Sequence, residues 1–252
     1  TLVSEFMLQQ TQVTTVIPYF NNFIRDIPNL TSLSKINESK LLKYWEGLGY
    51  YSRVKNLQKT AQNVEKNFKG KIPSTIEQLK SLPGIGDYTA NAIMAIAFNK
   101  PFIPLDGNIE RVIKRLLNLK QVDEISKQNL VREKKIFGTS IRSSDYAQAL
   151  MELGALVCRP RNPLCKKCPL TKNCKSFKKN DFEIIKPKRK KIDKFYLVEV
   201  YKKNSKFLLI KNTKFNFLKN LIIFPMKEIP KPNNLDKPLN FKMSNMNMNV
   251  VI

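Results

Sequence analysis

The sequence predicts a mainly α-helical domain followed by a smaller β-rich domain. Within residues 1–177, apolar side chains recur three or four residues apart, as at Leu41, Trp45 and Leu48, which is the spacing of a buried helix face. Further along the chain the apolar runs are short and alternating, and none of the eight glycines lies after Gly154. We therefore expect helices joined by short turns, followed by a separate unit of strands.

A tight turn, Leu82-Pro-Gly-Ile-Gly86, separates two predicted helices at 75–81 and 87–98. Gly84 and Gly86 allow the backbone to turn sharply and leave amide N–H groups free at the start of the next helix. These donors and the helix dipole favour a phosphate at that position. A plain helix–helix turn is the alternative, but the basic character of the chain favours a DNA contact at the two glycines.

The four cysteines, Cys158, Cys165, Cys168 and Cys174, form the pattern C-x6-C-x2-C-x5-C, and the chain contains no histidine. The sequence therefore predicts an all-sulfur centre, either zinc or an iron–sulfur cluster. Zinc sites usually bring two close C-x2-C pairs. A single pair with a wider arm on each side favours [4Fe–4S]. A disulfide is the least favoured reading, because the rest of the chain looks intracellular.

The chain changes character after a basic stretch at 186–191. We place a helical domain at 1–177, a basic linker at 178–194 and a β-rich, incomplete domain at 195–252. We expect four strands, the first two joined as a hairpin by the loop 202–205. These strands are 195–201, 206–210, 221–224 and 246–252.

The composition predicts a polyanionic partner. Forty-five Lys and Arg against 20 Asp and Glu give a net charge of +25, part of which a Lys-rich compositional bias would also explain. The chain has no apolar run long enough for a bilayer span and opens on no secretion signal, so we expect a cytoplasmic protein. No oligomerisation signal is present, and we expect a monomer. Because Thr1 falls inside a predicted helix, we expect residues before it to be missing from this sequence.

The turn at 82–86, the segment Leu105-Asp-Gly-Asn108 and the cysteine pattern together resemble the helix-hairpin-helix DNA glycosylase superfamily. Their spacing is similar to that of its iron–sulfur branch, which includes endonuclease III. The resemblance covers residues 1–177 and is weak after residue 195. It implies a helix-hairpin-helix glycosylase fold with a [4Fe–4S] cluster loop and double-stranded DNA as the partner.

Tyr88 distinguishes between the reaction types of that superfamily. Bifunctional members carry a lysine shortly after the hairpin, and its amine attacks the sugar to form a Schiff base. Tyr88 occupies the corresponding position, and a phenol cannot form an imine. The resemblance therefore implies a monofunctional enzyme that hydrolyses the bond between base and sugar.

Two segments, 4–13 and 45–53, resemble MutY-type adenine DNA glycosylases, which remove adenine opposite 8-oxoguanine. Cleavage of an N-glycoside needs an acid for the leaving base and an anion beside the oxocarbenium-like sugar. The resemblance assigns the acid to Glu5 and the anion to Asp106. Taken alone, Asp106 would be an N-cap for the helix starting near Asn108.

Further site residues follow from the same resemblance. Glu152 matches a second carboxylate of the adenine pocket, with a solvated helix face as the alternative, and Tyr88 and Asn108 are expected to support the pocket. Gln10 and Tyr50 match the wedge that enters the duplex when a base is extruded. For Tyr50 the alternative is ordinary packing beside Trp45. Two more residues, Leu48 and Thr11, are expected to line the same surface.

The β-rich domain is expected to have a smaller α+β fold, which resembles the Nudix-like domain with which MutY-type enzymes read 8-oxoguanine. Nudix hydrolysis is excluded, because its motif requires a glycine and the chain has none after Gly154. The family reads 8-oxoguanine through Phe-Ser-His. The best match here is Met243-Ser244-Asn245, in which Ser244 keeps the hydroxyl contact. The alternative is an edge strand without a special function.

The sequence thus predicts a monofunctional adenine DNA glycosylase of base excision repair that acts on adenine opposite 8-oxoguanine or guanine. One rival is a related enzyme that removes thymine or an oxidised pyrimidine from a mispair. The β-rich domain and the sequence of the first helix disfavour it. A non-catalytic iron–sulfur protein that only binds nucleic acid is the other, and Glu5 and Asp106 disfavour that reading.

Overall fold

The computed structural model describes residues 1–120, 140–184, 192–215, 217–218, 221–231, 239–243 and 246–251. The chain forms two compact units, Thr1–Ile185 and Lys186–Ile252. The boundary lies inside the stretch that the sequence suggests as a linker. Among the described residues, no helix is both long and apolar enough to cross a membrane.

The described part of the first unit is helical. Its α-helices are α1 (Leu2–Leu8), α2 (Val13–Asp26), α3 (Leu30–Lys35), α4 (Glu38–Lys43), α5 (Ser52–Phe68), α6 (Ile76–Lys80), α7 (Asp87–Ala92), α8 (Gly107–Leu117), α9 (Ser143–Glu152) and α10 (Lys175–Lys178). α7 continues as a π-helix over Ile93–Ala97 and α9 as another over Leu153–Val157. The cysteine loop contains two short 3₁₀ turns, Cys165–Lys167 and Thr171–Asn173.

Side-chain caps begin several of these helices where the sequence provides Asn, Thr or Asp. Asn29 caps α3 through the backbone N–H of Ser32 at 2.8 Å, and Thr75 caps α6 through the N–H of Gln78 at 3.3 Å. Such residues satisfy backbone donors that have no partner within the helix. The caps therefore place the helix starts at local sequence signals.

The largest core lies between α1, α2, α5 and α7. Phe6, Phe23 and Trp45 are fully buried in it, and the rings of Phe23 and Trp45 meet edge to face at 6.5 Å. Leu2, Phe6 and Met7 form the buried face of α1 in this core. A helix of seven residues is too short to be stable alone, so tertiary packing stabilises it. A second core joins α8 to α9 through Ile109, Ile113 and Leu150.

The helical hairpin brings α6 and α7 together around Gly84. Leu82 and Ile85 are buried on either side of this glycine, which has a φ of +79°. A Cβ atom at Gly84 would lie 2.8 Å from both the Asn56 Cβ and a ring carbon of Phe6. The turn therefore needs glycine both for its backbone conformation and for its close contact with α1 and α5.

The second unit contains eight described strands. They are β1 (Ile192–Val198), β2 (Lys202–Lys203), β3 (Lys206–Phe207), β4 (Ile210–Lys211), β5 (Ile222–Ile223), β6 (Met226–Ile229), β7 (Leu239–Met243) and β8 (Met246–Val251). Four of them form a sheet in the order β6-β1-β8-β7, with β1 and β8 parallel and the other pairs antiparallel. Tyr196, Met248 and Val250 form the buried face of this sheet.

The strand predictions are partly correct. A hairpin forms, but it is short: β2 pairs with β3 around Asn204 and Ser205, both at positive φ, as two-residue hairpin turns require. The predicted pairing of 195–201 with 206–210 is wrong, because β6 and β8 occupy the two edges of β1. Two strands, β6 and β7, were not predicted. The four residues of β6 do not alternate, whereas β7 does alternate apolar and polar residues, a strand signal that was overlooked.

Replacing Gly84 by alanine is expected to destabilise the first unit by about 1–3 kcal/mol, because the change adds both backbone strain and a clash with Phe6. Gly86→Ala is the matched control. Its φ is −95°, and a Cβ there meets no atom within 4 Å. Urea unfolding followed by circular dichroism measures both variants. Equal stabilities of the two variants would contradict this account of the hairpin.

Candidate active site and cysteine loop

Glu5 is a buried carboxyl group with one unpartnered oxygen. It lies on α1 beside Phe6 and Met7, and only 3% of its surface is exposed. Its Oε2 atom has no hydrogen-bond partner. Burial raises the pKa of Glu5 above the usual glutamate range, a hydrogen bond from Tyr88 opposes that rise, and the negative charge of Asp106 adds to it. The environment therefore favours the protonated acid, with an oxygen available to a ligand.

Tyr88 lies in the first turn of α7, directly after the hairpin. It is half-buried, and its hydroxyl bonds to the Glu5 carboxyl group. Burial and the negative charges of Glu5 and Asp106 raise the pKa of Tyr88 well above its ordinary range. The phenol therefore stays protonated and acts as a hydrogen-bond donor to Glu5.

Asp106 is the N-cap of α8, as its local sequence predicts. Its Oδ1 atom accepts hydrogen bonds from the backbone N–H groups of Asn108 and Ile109 at 3.0 and 2.7 Å, and its Oδ2 atom accepts one from the Asn108 side chain at 2.8 Å. The helix dipole also favours a negative charge at this end. Asp106 is thus a fixed carboxylate, near enough to Glu5 and Tyr88 to shift the pKa of each.

Asn108 links Asp106 to the rest of the unit. A Cβ atom on Gly154 would lie 2.7 Å from the Asn108 Cβ, so the π-helix at 153–157 packs closely on the start of α8. The Oδ1 atom of Asn108 accepts a hydrogen bond at 2.9 Å from Arg111, which also donates to the Cys158 carbonyl at 2.7 Å. These contacts hold the helix that carries Asp106 against the cysteine loop.

Arg111 and Arg115 are structural residues that the sequence interpretation missed. Both lie on the face of α8 turned towards the loop, and Arg115 donates to the carbonyls of Arg159 and Pro160 at 2.6 and 2.8 Å. Their i, i+4 spacing was the available signal, because it places both arginines on one face of α8. The spacing indicates a shared face, and the burial of Arg115 comes from its contacts with the loop.

The four cysteines are brought together without forming disulfides. All four are half-buried free thiols. The pKa of Cys165 is raised, mainly by burial and further by the charges of the other three cysteines. In the described part of the chain, no three Cys, Asp or Glu side chains converge tightly enough for a single metal ion. The Arg115 guanidinium lies 3.6 Å from the Cys158 sulfur. A positive charge beside a sulfur atom of this set suits a group held by thiolates.

Gln10 and Tyr50 project from the ends of neighbouring segments. Both are exposed, Tyr50 by 58%, and both have positive φ values, +58° and +47°. Thr11 is half-exposed beside Gln10. Leu48 differs from the expectation: it is 6% exposed and its apolar side chain packs in the main core.

The two glycines of the hairpin are exposed. Their backbone is therefore accessible to a ligand, as a DNA contact would require. Asp87 follows immediately and forms an ion pair with Lys80 at 2.5 Å. This carboxylate places a negative charge beside the predicted phosphate position and weakens the attraction there.

Glu152 does not join the Glu5 group directly. It is exposed at the end of α9, on a cavity of about 350 Å³ whose lining includes Tyr146, Leu153 and Leu170 but none of Glu5, Tyr88 and Asp106. The close contact between Gly154 and Asn108 nevertheless places its segment next to the start of α8. Ser244 and the neighbouring Asn245, predicted to read the opposite base, lie outside the described residues.

Comparison with known proteins gives a consistent assignment. A sequence profile of HhH-GPD superfamily base excision DNA repair proteins matches residues 3–135. The adenine DNA glycosylase of Buchnera aphidicola subsp. Schizaphis graminum is 38% identical over 232 residues, which cover 88% of this chain and 66% of that protein. The human adenine DNA glycosylase is 41% identical over 177 residues, covering 69% of this chain and 32% of that protein.

A solved structure supports the same fold. A thermostable thymine-DNA glycosylase superposes with a TM-score of 0.62 at 28% identity, covering 71% of this chain and 83% of that chain. The present chain spans about two thirds of the length of its Buchnera relative. The predicted helix-hairpin-helix glycosylase fold is therefore confirmed, and the chain belongs to the HhH-GPD superfamily of base excision DNA repair proteins.

Proposed function

We propose that the protein is a monofunctional adenine DNA glycosylase, which hydrolyses the N-glycosidic bond of adenine mispaired with 8-oxoguanine or guanine. The observation that carries the proposal is the Glu5 carboxyl group, buried with an unpartnered oxygen and a raised pKa beside Tyr88 and Asp106. The similarity to adenine DNA glycosylases over 88% of the chain favours adenine as the base removed.

The chemistry follows from these three groups. Protonated Glu5 donates its proton to N7 of the extruded adenine, and the bond between C1′ and N9 then breaks with its electron pair leaving on the base. The sugar is left as an oxocarbenium-like cation, which the fixed carboxylate of Asp106 stabilises. A water molecule adds to C1′, and its proton passes to the Glu5 carboxylate. The products are adenine and an abasic sugar, and Glu5 is again protonated.

Tyr88 supports hydrolysis without strand cleavage. A lyase reaction needs an amine that forms an imine with C1′, and the residue after the hairpin is a phenol that stays protonated. Its hydroxyl bonds to Glu5 and helps to orient the acid. In this proposal Asn108 orients Asp106, while Gln10 and Tyr50 enter the duplex with Thr11 beside them. The exposed Glu152 contacts the base edge, and the turn at Gly84 and Gly86 contacts a phosphate.

The second unit is proposed to read the base opposite the adenine. Its sheet of β6, β1, β8 and β7 provides a framework for such a contact. The assignment of Ser244 to 8-oxoguanine remains a prediction from the sequence. The partner that the proposal names is therefore duplex DNA with an A:8-oxoguanine or A:G mispair, bound by a monomer.

Base release from defined mispairs tests the proposed reaction. Under single-turnover conditions the full-length protein should release adenine opposite 8-oxoguanine, and the strand should stay intact until alkali is added. Glu5→Gln should lower the rate constant by at least about 10³-fold, because the variant has no proton to donate. Glu65→Gln is the control, since Glu65 lies on α5 and accepts a hydrogen bond from Thr31 far from this chemistry.

Three results would contradict the proposal. Release of thymine alone would identify the mismatch enzyme that removes pyrimidines. Tight binding without release of any base would identify a non-catalytic nucleic-acid-binding protein. Strand cleavage without alkali would show a lyase and exclude the role given to Tyr88.

We also propose that Cys158, Cys165, Cys168 and Cys174 hold a [4Fe–4S] cluster. The all-sulfur donor set, the shared burial of the thiols and the neighbouring Arg115 support a cluster of this kind. When bound, the cluster ties the loop into one rigid turn, which carries the cations Arg159, Arg161, Lys166 and Lys167. The loop would present these cations to DNA phosphates, so its role is in DNA binding rather than in the chemical step.

Analysis of the purified protein tests the cluster. We expect about four iron atoms and four acid-labile sulfides per chain. Cys158→Ser should lower thermal stability and DNA affinity, while the bound fraction keeps a rate constant for base release near that of the parent. Zinc in place of iron would overturn the assignment, and so would a variant that binds DNA normally but reacts slowly.

A further inference from the structure

Arg53 is a buried arginine that no step of the proposed reaction uses. It lies in the first turn of α5 and is only 6% exposed. Burial lowers the pKa of its guanidinium group, so the fold holds a charge at a position that disfavours it. Such a residue needs several well-placed acceptors, and Arg53 has them in two different segments.

The guanidinium group of Arg53 joins the end of α1 to the turn before α5. One terminal nitrogen lies within hydrogen-bond distance of oxygens at the end of α1: the carbonyls of Phe6, Met7 and Gln9 at 3.3, 2.6 and 2.6 Å and the Thr11 hydroxyl at 3.1 Å. The other donates to the carbonyls of Leu48 and Gly49, both at 3.1 Å. The last carbonyls of a helix have no partner within it, and here a single side chain supplies their partners.

The two segments tied by Arg53 carry the two side chains proposed to enter DNA. Gln10 follows the α1 carbonyls, and Tyr50 follows Gly49. Each has a left-handed backbone conformation, with φ values of +58° and +47°, which costs energy in a residue other than glycine. The contacts of Arg53 offset this cost on both sides at once.

Aromatic contacts complete the arrangement. The central carbon of the Arg53 guanidinium lies 5.3 Å from the Trp45 ring centroid and 5.6 Å from that of Tyr50. The Trp45 indole also donates to the Gly49 carbonyl at 3.2 Å. The planar guanidinium can therefore bond to carbonyls along its edge and stack on rings across its face, which an ammonium group cannot do.

We propose that Arg53 is a positioning residue: it fixes Gln10 and Tyr50 in relation to Glu5, so that the side chains that enter the duplex deliver the extruded base to the acid. The inference rests on the proposed function. Glu5 and the carbonyls of Phe6 and Met7 belong to the same short helix, so one guanidinium sets both the wedge and the acid. Misplacement of a reacting group by about 1 Å can cost about 10²-fold in rate, which is the scale expected here.

The test uses two variants of the full-length protein, Arg53→Lys and Arg53→Ala. Arg53→Lys keeps the positive charge but loses the planar guanidinium group with its several N–H donors. Single-turnover base release is measured on an A:8-oxoguanine duplex. Extrusion is measured on the same duplex with a non-cleavable 2′-fluoro-adenosine and a neighbouring 2-aminopurine. We expect Arg53→Lys to lower the rate constant about 10- to 100-fold and to reduce the fluorescence change. Affinity for undamaged duplex should stay within about threefold, because phosphate contacts dominate it.

Chemical rescue separates positioning from a purely structural role. Added methylguanidinium should restore part of the rate of Arg53→Ala, and methylammonium at equal ionic strength should not. Arg25→Lys, an exposed arginine on α2 paired with Asp26, should behave like the parent. If Arg53→Ala does not fold, Arg53→Lys carries the test.

Several outcomes would overturn the inference alone. One is a rate constant for Arg53→Lys equal to that of an active parent. Another is a variant in which only the fraction of active molecules falls while the rate constant is unchanged. The third is equal rescue of Arg53→Ala by both cations. A parent that neither extrudes nor releases adenine would overturn the proposed function and this inference together.

Discussion

The burial of the Glu5 carboxyl group is the constraint on which the arrangement of the first unit depends. An acid with 3% exposure and an unpartnered oxygen is unfavourable for folding, and the fold retains it only because α1 is fixed from several sides. Phe6 and Met7 anchor the helix in the core, Gly84 approaches Phe6 closely, and Arg53 bonds its last carbonyls. The packing of the surrounding helices thus offsets the cost of burying Glu5, the proposed proton donor.

Two further segments meet α1 at this acid, and each is positioned by a different device. The glycine turn of the hairpin places Tyr88 at the start of α7, where it bonds to Glu5. The N-cap of α8 fixes Asp106, and Arg111 connects that helix to the cysteine loop. A change in either device would displace the reacting group that it positions. Gly84 contributes to the stability of the unit as well as to the position of Tyr88, so stability and base release need to be measured separately.

Features encoded locally were predictable from the sequence. The turn at Gly84, the N-cap of Asp106 and the spacing of the cysteines depend on residues within a few positions of one another. The burial of Glu5 depends on tertiary packing, and a lone charge on a short helix normally lies in solvent. Arg53 was missed for the same reason, since its acceptors lie over 40 residues away at the end of α1. Strand β6 was missed because its four residues do not alternate, and the alternation in β7 was overlooked. Leu48 was expected at the wedge surface from the family resemblance, although its helical spacing with Leu41 and Trp45 indicated burial.

The pH dependence of base release tests the central claim, that buried Glu5 acts as a proton donor. An ordinary glutamate has a pKa near 4.5, and the pKa of Glu5 is raised above that value. Glu5 therefore keeps its proton to a higher pH than an ordinary glutamate does, and loses it as the pH rises further. The single-turnover rate constant should therefore fall as the pH rises through the pKa of Glu5. Tyr88→Phe removes a hydrogen bond that lowers the pKa of Glu5, so the rate constant of this variant should begin to fall at a higher pH than that of the parent. A rate independent of pH, or an inflection unmoved in Tyr88→Phe, would contradict the account.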